Sequence, residues 1–381
     1  MRLREIGWLT LLSGLPFSFF LGRVWGLDIW HSQTIWAQAG LLALWIGWGC
    51  QLDELPKLLR VWLGLVVGWS GALWVRLSVA EKVYPLPLLM GMGHLVVILL
   101  FLGMALREWR DDQIDRYVRG MAWAYVGVVA YSLLQLVSLD QFFVQLEPNV
   151  LKDVVVGTIG NPTHHSVVLA LGLPMVLAQP QRLFQATALV ALGLIGYLLL
   201  FHQSSTGFLA VCVSLSWWSW RTSPKWRGLV LTMWGLLGLG ALQFTHLLNM
   251  SGRVFAWNNF AELVRQKPIT GWGPGAVMQL SAAVPSGHPM YAWRHVHNEW
   301  LQVAIEHGLP GLVCAVTLAL WLLWRAVKLP GAQVTMAGAI WVAFLVACST
   351  LYPAHLWQTG VYALVAMVIL LLPNTGRFAW R

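Results

Sequence analysis

Residues suited to chemistry are concentrated in one polar interval, 251–298. His295, His297 and Asn298 stand at its end, and an imidazole can exchange protons near neutral pH. Arg253 stands near its start, and a guanidinium keeps its charge and matches the geometry of phosphate oxygens. The pattern predicts a site where a histidine handles a proton and an arginine holds a phosphate-bearing substrate.

Two further cations, Arg265 and Arg294, lie in the same interval. Each arginine of this interval has two interpretations, as a phosphate ligand or as a contact to lipid headgroups. The sequence leaves both interpretations open. Arg253 is the better candidate for a phosphate ligand, because Arg265 and Arg294 can each be explained by a position at the membrane interface.

Two predicted helices position these residues. Apolar residues recur at helical spacing over 251–267 and Pro268 ends the pattern, which predicts a short amphipathic helix on a membrane surface. A second helix begins near Asn298, and Glu306 and His307 lie farther along it, where ionisable side chains are expected to be functional or paired. The histidine is expected to head a helical stripe of mostly small residues, formed by His297, Leu301, Ala304, Gly308 and Gly311.

Composition indicates a membrane protein. Of the 381 residues, 58% are hydrophobic and 10% charged, whereas soluble domains carry about 25% charged residues. The net charge of +9 is explained by basic cytoplasmic loops, so no nucleic-acid partner is expected. The four cysteines lie in apolar stretches without metal-ligand spacing, so neither a disulfide framework nor a metal site is predicted.

The fold class expected is an all-α integral membrane protein with about twelve transmembrane helices. A run of about 17 to 25 apolar residues can cross a bilayer. The apolar run over 6–21 lacks a small-x-small cleavage site, so we expect it to be a retained first helix. The expected spans are 6–22, 32–50, 59–79, 86–106, 119–139, 163–179, 184–202, 206–220, 228–247, 298–324, 332–350 and 355–373.

Charge sets the expected topology. Sixteen Lys and Arg residues fall on the side of the N-terminus and eight on the other, which predicts that both termini are cytoplasmic. All eleven histidines fall on the outer side of this map. The chain then divides into spans one to nine over 1–247, an extracytoplasmic loop over 248–297, and spans ten to twelve over 298–381.

The sequence resembles the O-antigen ligase and polymerase superfamily of bacterial envelope glycan transferases. The ligase pattern is His, then Asn, Ser or Gln, nine residues, Gly, two residues, and Gly, Thr or Tyr; this chain meets it with His297, Asn298, Gly308 and Gly311. One departure is the segment 204–207, Ser-Ser-Thr-Gly, where the family often has Ser-Arg. Further matches are Arg253-x-x-x-Trp257, Pro268-x-x-Gly271-x-Gly273 and Gly160-Asn161-Pro162.

The resemblance implies the activity. It implies a glycan donor on undecaprenyl diphosphate, an acceptor hydroxyl on lipid A-core or another glycan, and a site on the periplasmic side of the inner membrane. Besides the two substrates, only membrane lipids are expected as partners, and no cofactor or metal is expected. The catalytic residues expected are His297 and Arg253; those expected to bind the diphosphate or acceptor are Arg265, Arg294, Asn298, His295 and Asn161.

Three alternatives remain open. An O-antigen polymerase uses the same chemistry with a second lipid-linked repeat unit as acceptor, and a third choice of acceptor is a protein hydroxyl. A secondary transporter also has many helices, but it is expected to show paired repeats and midplane ions, and no convincing repeat is present.

Overall fold

A computed structural model describes residues 8–9, 11–12, 98–99, 101–137, 155–223, 225, 227, 251–284, 288 and 295–372. Over these ranges the chain is helical and contains no strand. Residues 101–108 are helical. The helices that follow are α1 (Asp111–Leu136), α2 (Pro162–Leu177), α3 (Arg182–His202), α4 (Ser205–Thr222), α5 (Ser251–Gln266), α6 (Ala276–Ala283), α7 (Glu299–Lys328), α8 (Ala332–Cys348) and α9 (Trp357–Leu371).

The centre of the bundle is formed by α2 and α8. Apolar residues surround both helices on all sides, which is the pattern of a helix buried among others. The α2 helix contacts α1, α3, α4, α8 and α9, and α8 contacts α4, α7 and α9 as well. A β-carbon at Gly207 of α4 would overlap Ser166 of α2, so glycine permits the close approach of these two helices.

Arginines cap the helix ends at one end of the bundle. Arg221 donates to the carbonyl of Leu329 just after α7 at 2.6 Å, and Arg325 donates to the carbonyl of Leu372 just after α9 at 3.2 Å. Cations stabilise these helix ends because the last carbonyls carry partial negative charge. The N-termini of α2, α7 and α9 lie at the opposite end, where the histidines gather.

Several of the expected spans form helices. Spans 163–179, 184–202, 206–220, 298–324, 332–350 and 355–373 correspond to α2, α3, α4, α7, α8 and α9. The span expected at 119–139 corresponds to α1, which begins earlier, at Asp111. Among the described helices, only α3 and α7 are long and apolar enough to cross a membrane by themselves, and α2, α8 and α9 are shorter apolar helices.

The spans expected at 32–50, 59–79 and 228–247 lie outside the described residues, as do most of 6–22 and 86–106. Between α4 and α7, the amphipathic helix expected from 251 onward is α5. The short helix α6 follows it and was not predicted. These two helices and the start of α7 enclose a small core that consists of Ala256, Phe260, Leu263, Val277, Val296 and Ile305.

Candidate active site

His297 lies in the turn before α7 and has a left-handed backbone. Its φ is 55°, a region that non-glycine residues seldom occupy and that costs roughly 1 to 2 kcal/mol. Asn298 caps the helix, since its Oδ1 accepts from the Leu301 amide at 3.0 Å and its Nδ2 donates to the Ser349 carbonyl at 3.1 Å. The prediction that His297 heads a helical stripe is therefore wrong, because it precedes the cap and Gly308 also leaves helical geometry.

Three imidazoles surround the ring of Tyr352. The Tyr352 hydroxyl lies 3.0 Å from Nε2 of His164, at the start of α2. The His297 ring meets the tyrosine ring edge-on with centroids 4.8 Å apart, and the His295 ring stacks on it at 4.2 Å. His164, His295 and Tyr352 are buried, and His297 is half-buried. Tyr352 therefore joins the start of α2, the turn before α7 and the segment after α8.

Arg253 supplies the positive charge of this site. It is half-buried on α5. Burial, together with the nearby Arg253 charge, lowers the pKa of His297 to about 4. Burial also lowers the pKa of Arg253, with Tyr352 acting in the opposite direction, but a guanidinium stays charged. At neutral pH the site thus presents a fixed cation beside an unprotonated imidazole.

A carboxylate and a histidine form a second polar layer under this site. Oε1 of Glu299 lies 2.6 Å from Nδ1 of His355, and its Oε2 accepts from the Ala354 amide at 3.3 Å. Burial alone would lower the pKa of His355, but the Glu299 carboxylate, helped by Glu306, outweighs burial and raises this pKa to about 9. His355 is therefore an imidazolium at neutral pH, and the nearly buried Glu299 carboxylate has a cationic partner.

Gln302 connects the pair of Glu299 and His355 to the histidines around Tyr352. Its amide nitrogen lies 3.2 Å from Nδ1 of His295, 3.2 Å from Nε2 of His355 and 3.1 Å from Oε1 of Glu306. Both ring nitrogens of an imidazolium are donors, so Nε2 of His355 cannot accept, and the two amide hydrogens of Gln302 go to His295 and Glu306. Burial holds the pKa of His295 well below its usual range, and the charge of His355 adds to this effect. Of these two histidines, His355 therefore carries the positive charge, while His295 stays neutral.

Two glycines, Gly308 of the ligase pattern and Gly271 of the preceding loop, shape the backbone near the site. Gly308 has a φ of 70° and kinks α7, and the turn around Gly271 docks against this kink. The Trp272 amide donates to the Ile305 carbonyl at 2.8 Å. A β-carbon at Gly308 would overlap the carbonyl of Ile269, and one at Gly271 would overlap the backbone of α7. These glycines permit close approach of two backbones, which fixes the loop relative to the helix that follows His297.

The other residues expected in the site have different roles in the structure. Arg265 is exposed on α5 and pairs with Glu262 at 3.0 Å. Asn161 caps α2, with Oδ1 accepting from the His164 amide at 3.1 Å, so it positions a site residue. His295 belongs to the centre, and Asn298 holds the turn beside His297. Arg294 lies outside the described residues.

Sequence reasoning did not assign site roles to Tyr352, Gln302 or Glu299. It counted His164 and His355 only among the histidines of the outer side. The sequence held one indication that these five residues lie together, because all of them stand at or near the outer ends of predicted spans. Among the described residues, no three His, Cys, Asp or Glu side chains are arranged to hold a metal ion, although four histidines lie near one another.

The structure thus places a cluster of polar side chains at one end of an apolar helical bundle. The sequence model of the family described as O-Antigen ligase matches residues 188–316, which include Arg253 and His297. The General O-oligosaccharyltransferase of Acinetobacter baylyi is 23% identical over 235 residues. That alignment covers 52% of this chain and 41% of the relative, so the chain spans less than half of the relative's length. These matches confirm the resemblance of the chain to the O-antigen ligase superfamily.

Proposed function

We propose that the protein transfers a glycan from undecaprenyl diphosphate to a sugar hydroxyl, and that it is an O-antigen ligase whose acceptor is lipid A-core. The observation that carries this proposal is the pairing of charged Arg253 with unprotonated His297 in one partly buried site. A cation and a proton acceptor are the two groups that such a transfer requires. The site would lie on the periplasmic face of the inner membrane.

The proposed reaction is a substitution at the anomeric carbon of the donor. The acceptor oxygen forms a bond to this carbon, and the bond from the carbon to the diphosphate oxygen breaks. The electron pair of that bond leaves with undecaprenyl diphosphate, whose added negative charge Arg253 stabilises. The hydroxyl proton passes to His297, so atoms and charges balance without a nucleotide.

Donor binding would make His297 a better base. Burial and the Arg253 charge hold its pKa near 4 in the free protein, which makes it a weak acceptor of protons. A bound diphosphate would place negative charge beside the imidazole and offset the arginine, which favours the imidazolium. The base would thus reach useful strength in the complex that reacts, while Tyr352 and His164 hold the neighbouring groups in place.

The test is glycan transfer by the purified full-length protein in proteoliposomes, with an undecaprenyl-diphosphate-linked oligosaccharide and lipid A-core. We expect His297→Ala and Arg253→Gln each to lower transfer by at least about 100-fold, the scale of acid-base and electrostatic contributions. Arg265→Gln is the matched control, because it removes an arginine of the same helix that pairs at the surface. Unchanged turnover in His297→Ala, with the protein still folded, would reject the assignment.

A protein acceptor is the second candidate function. It is supported by the match to a relative named General O-oligosaccharyltransferase. Supplying lipid A-core, a second lipid-linked repeat unit and a protein substrate in parallel reactions would separate ligase, polymerase and protein glycosylation. The ligase proposal expects transfer to lipid A-core alone; product only on the other acceptors would replace it.

Polysaccharide analysis after deletion of the gene separates ligase from polymerase in the cell. Loss of a ligase would leave finished polymer on its carrier lipid. Loss of a polymerase would leave single repeat units on the core, which would contradict ligation as the function of this protein.

A further inference from the structure

Trp257 links the helix that carries Arg253 to the backbone beside His297. It lies four residues after Arg253 on α5, which places both on one face of the helix. Its indole N–H donates to the carbonyl of Val296 at 2.8 Å. Val296 is fully buried and directly precedes His297. One hydrogen bond therefore connects the arginine-bearing helix with the peptide unit next to the imidazole.

The same peptide segment is held from a second side. The amide of Val296 donates to Oε1 of Gln302 at 3.2 Å, within buried surroundings. Both polar backbone groups of Val296 are thus engaged by side chains from different helices. His297 follows with a φ of 55°, and a non-glycine residue keeps such a conformation only where its surroundings over-determine it.

We propose that Trp257 is a positioning residue, which holds His297 in its left-handed turn and at a fixed distance from Arg253. This inference rests on the proposed function, in which those two groups act on one substrate. Without the indole bond, the Val296 carbonyl loses a buried partner and the turn can relax toward an ordinary backbone conformation. The imidazole would then move relative to the arginine, and displacement by about 1 Å can cost about 100-fold in rate.

Trp257→Phe tests this role, because it removes the N–H donor and keeps an aromatic ring. Trp272→Phe is the matched control. Its indole also donates to a backbone carbonyl, that of Leu263 at 2.9 Å, and its ring packs on the same small core. We expect the apparent melting temperatures of the two variants to fall equally. In the transfer assay described above, kcat is expected to fall about 10-fold to 100-fold in Trp257→Phe only, with KM for the donor within about twofold.

A double variant shows whether Trp257 acts through His297. If it does, Trp257→Phe combined with His297→Ala is no slower than His297→Ala alone. The inference would be overturned if the rate losses of Trp257→Phe and His297→Ala multiplied in the double variant. Equal losses of kcat in Trp257→Phe and Trp272→Phe would also overturn it. Full activity in Trp257→Phe alongside an inactive His297→Ala would overturn it and leave the proposed function standing. Full activity in His297→Ala would defeat both.

Discussion

Replacing Glu299 by glutamine is expected to remove the positive charge of His355. Burial alone would lower the pKa of this histidine, and the carboxylate 2.6 Å from its Nδ1 is the main reason that the pKa instead rises to about 9. Glutamine keeps the size of the side chain but carries no charge. In Glu299→Gln, His355 therefore titrates at much lower pH and is neutral at pH 7.

The magnitude follows from the two states of the histidine. Its pKa changes from 6.5 when exposed to about 9 in the folded protein. At about 1.4 kcal/mol per pH unit, this shift corresponds to about 3 kcal/mol of folding free energy. The figure is an upper bound because 26% of the His355 side chain is exposed and solvent screens part of the interaction.

The sign of the pH dependence is fixed by the raised pKa of His355. The stabilisation is fully present below pH 6.5 and is lost as the pH rises through about 9. The apparent melting temperature of the wild-type protein in detergent should therefore fall between pH 6.5 and 9.5 by more than that of Glu299→Gln. Glu262→Gln, which removes an exposed carboxylate, should retain the wild-type slope. Identical slopes in the wild type and Glu299→Gln would refute the reasoning.

Three further predictions concern the centre of the site. Asn161→Ala removes the cap that accepts from the His164 amide; we expect a loss of about 1 kcal/mol of stability, measured as an earlier unfolding transition, and unchanged stability would contradict the cap. Tyr352→Phe removes the hydroxyl bonded to His164 and keeps the ring stacking; transfer should fall about twofold to tenfold, and a wild-type rate would show the bond to be dispensable. Arg253→Gln should move the acid limb of the profile of kcat/KM against pH from near pH 4 to higher pH, because removing a positive charge makes His297 easier to protonate. An acid limb that does not move would show that the Arg253 charge does not affect the pKa of His297.

The sequence predicted the elements better than the contacts. Long apolar runs and the charged segments between them located α2, α3, α4, α7, α8 and α9, because a sustained apolar run between charged segments predicts a helix that is hidden from water. The kink at Gly308 was not predicted, because it depends on contact with the loop backbone at Ile269, which lies far from Gly308 in the sequence. The short helix α6 was missed because eight residues carry too little periodic signal.

The site was predicted in part, for physical reasons that individual residues make clear. The sequence placed Arg253 and His297 in one interval, and the structure brings the two within electrostatic reach. It could not show that Tyr352 contacts His297 and His164, because these residues are separated by 55 and 188 positions. Nor could it show that Arg265 pairs with a neighbouring carboxylate, since helix rotation decides which arginine faces the histidine.

The most direct test of the central claim is labelling of residue 297 from the two sides of the membrane. His297→Cys, in a protein whose other cysteines are replaced, is treated in right-side-out and inverted vesicles with a membrane-impermeant maleimide, with and without undecaprenyl diphosphate. We predict labelling from the extracytoplasmic side that undecaprenyl diphosphate suppresses, because its phosphates occupy the site shared with Arg253. Labelling from the cytoplasmic side, or labelling that the lipid leaves unchanged, would contradict the account.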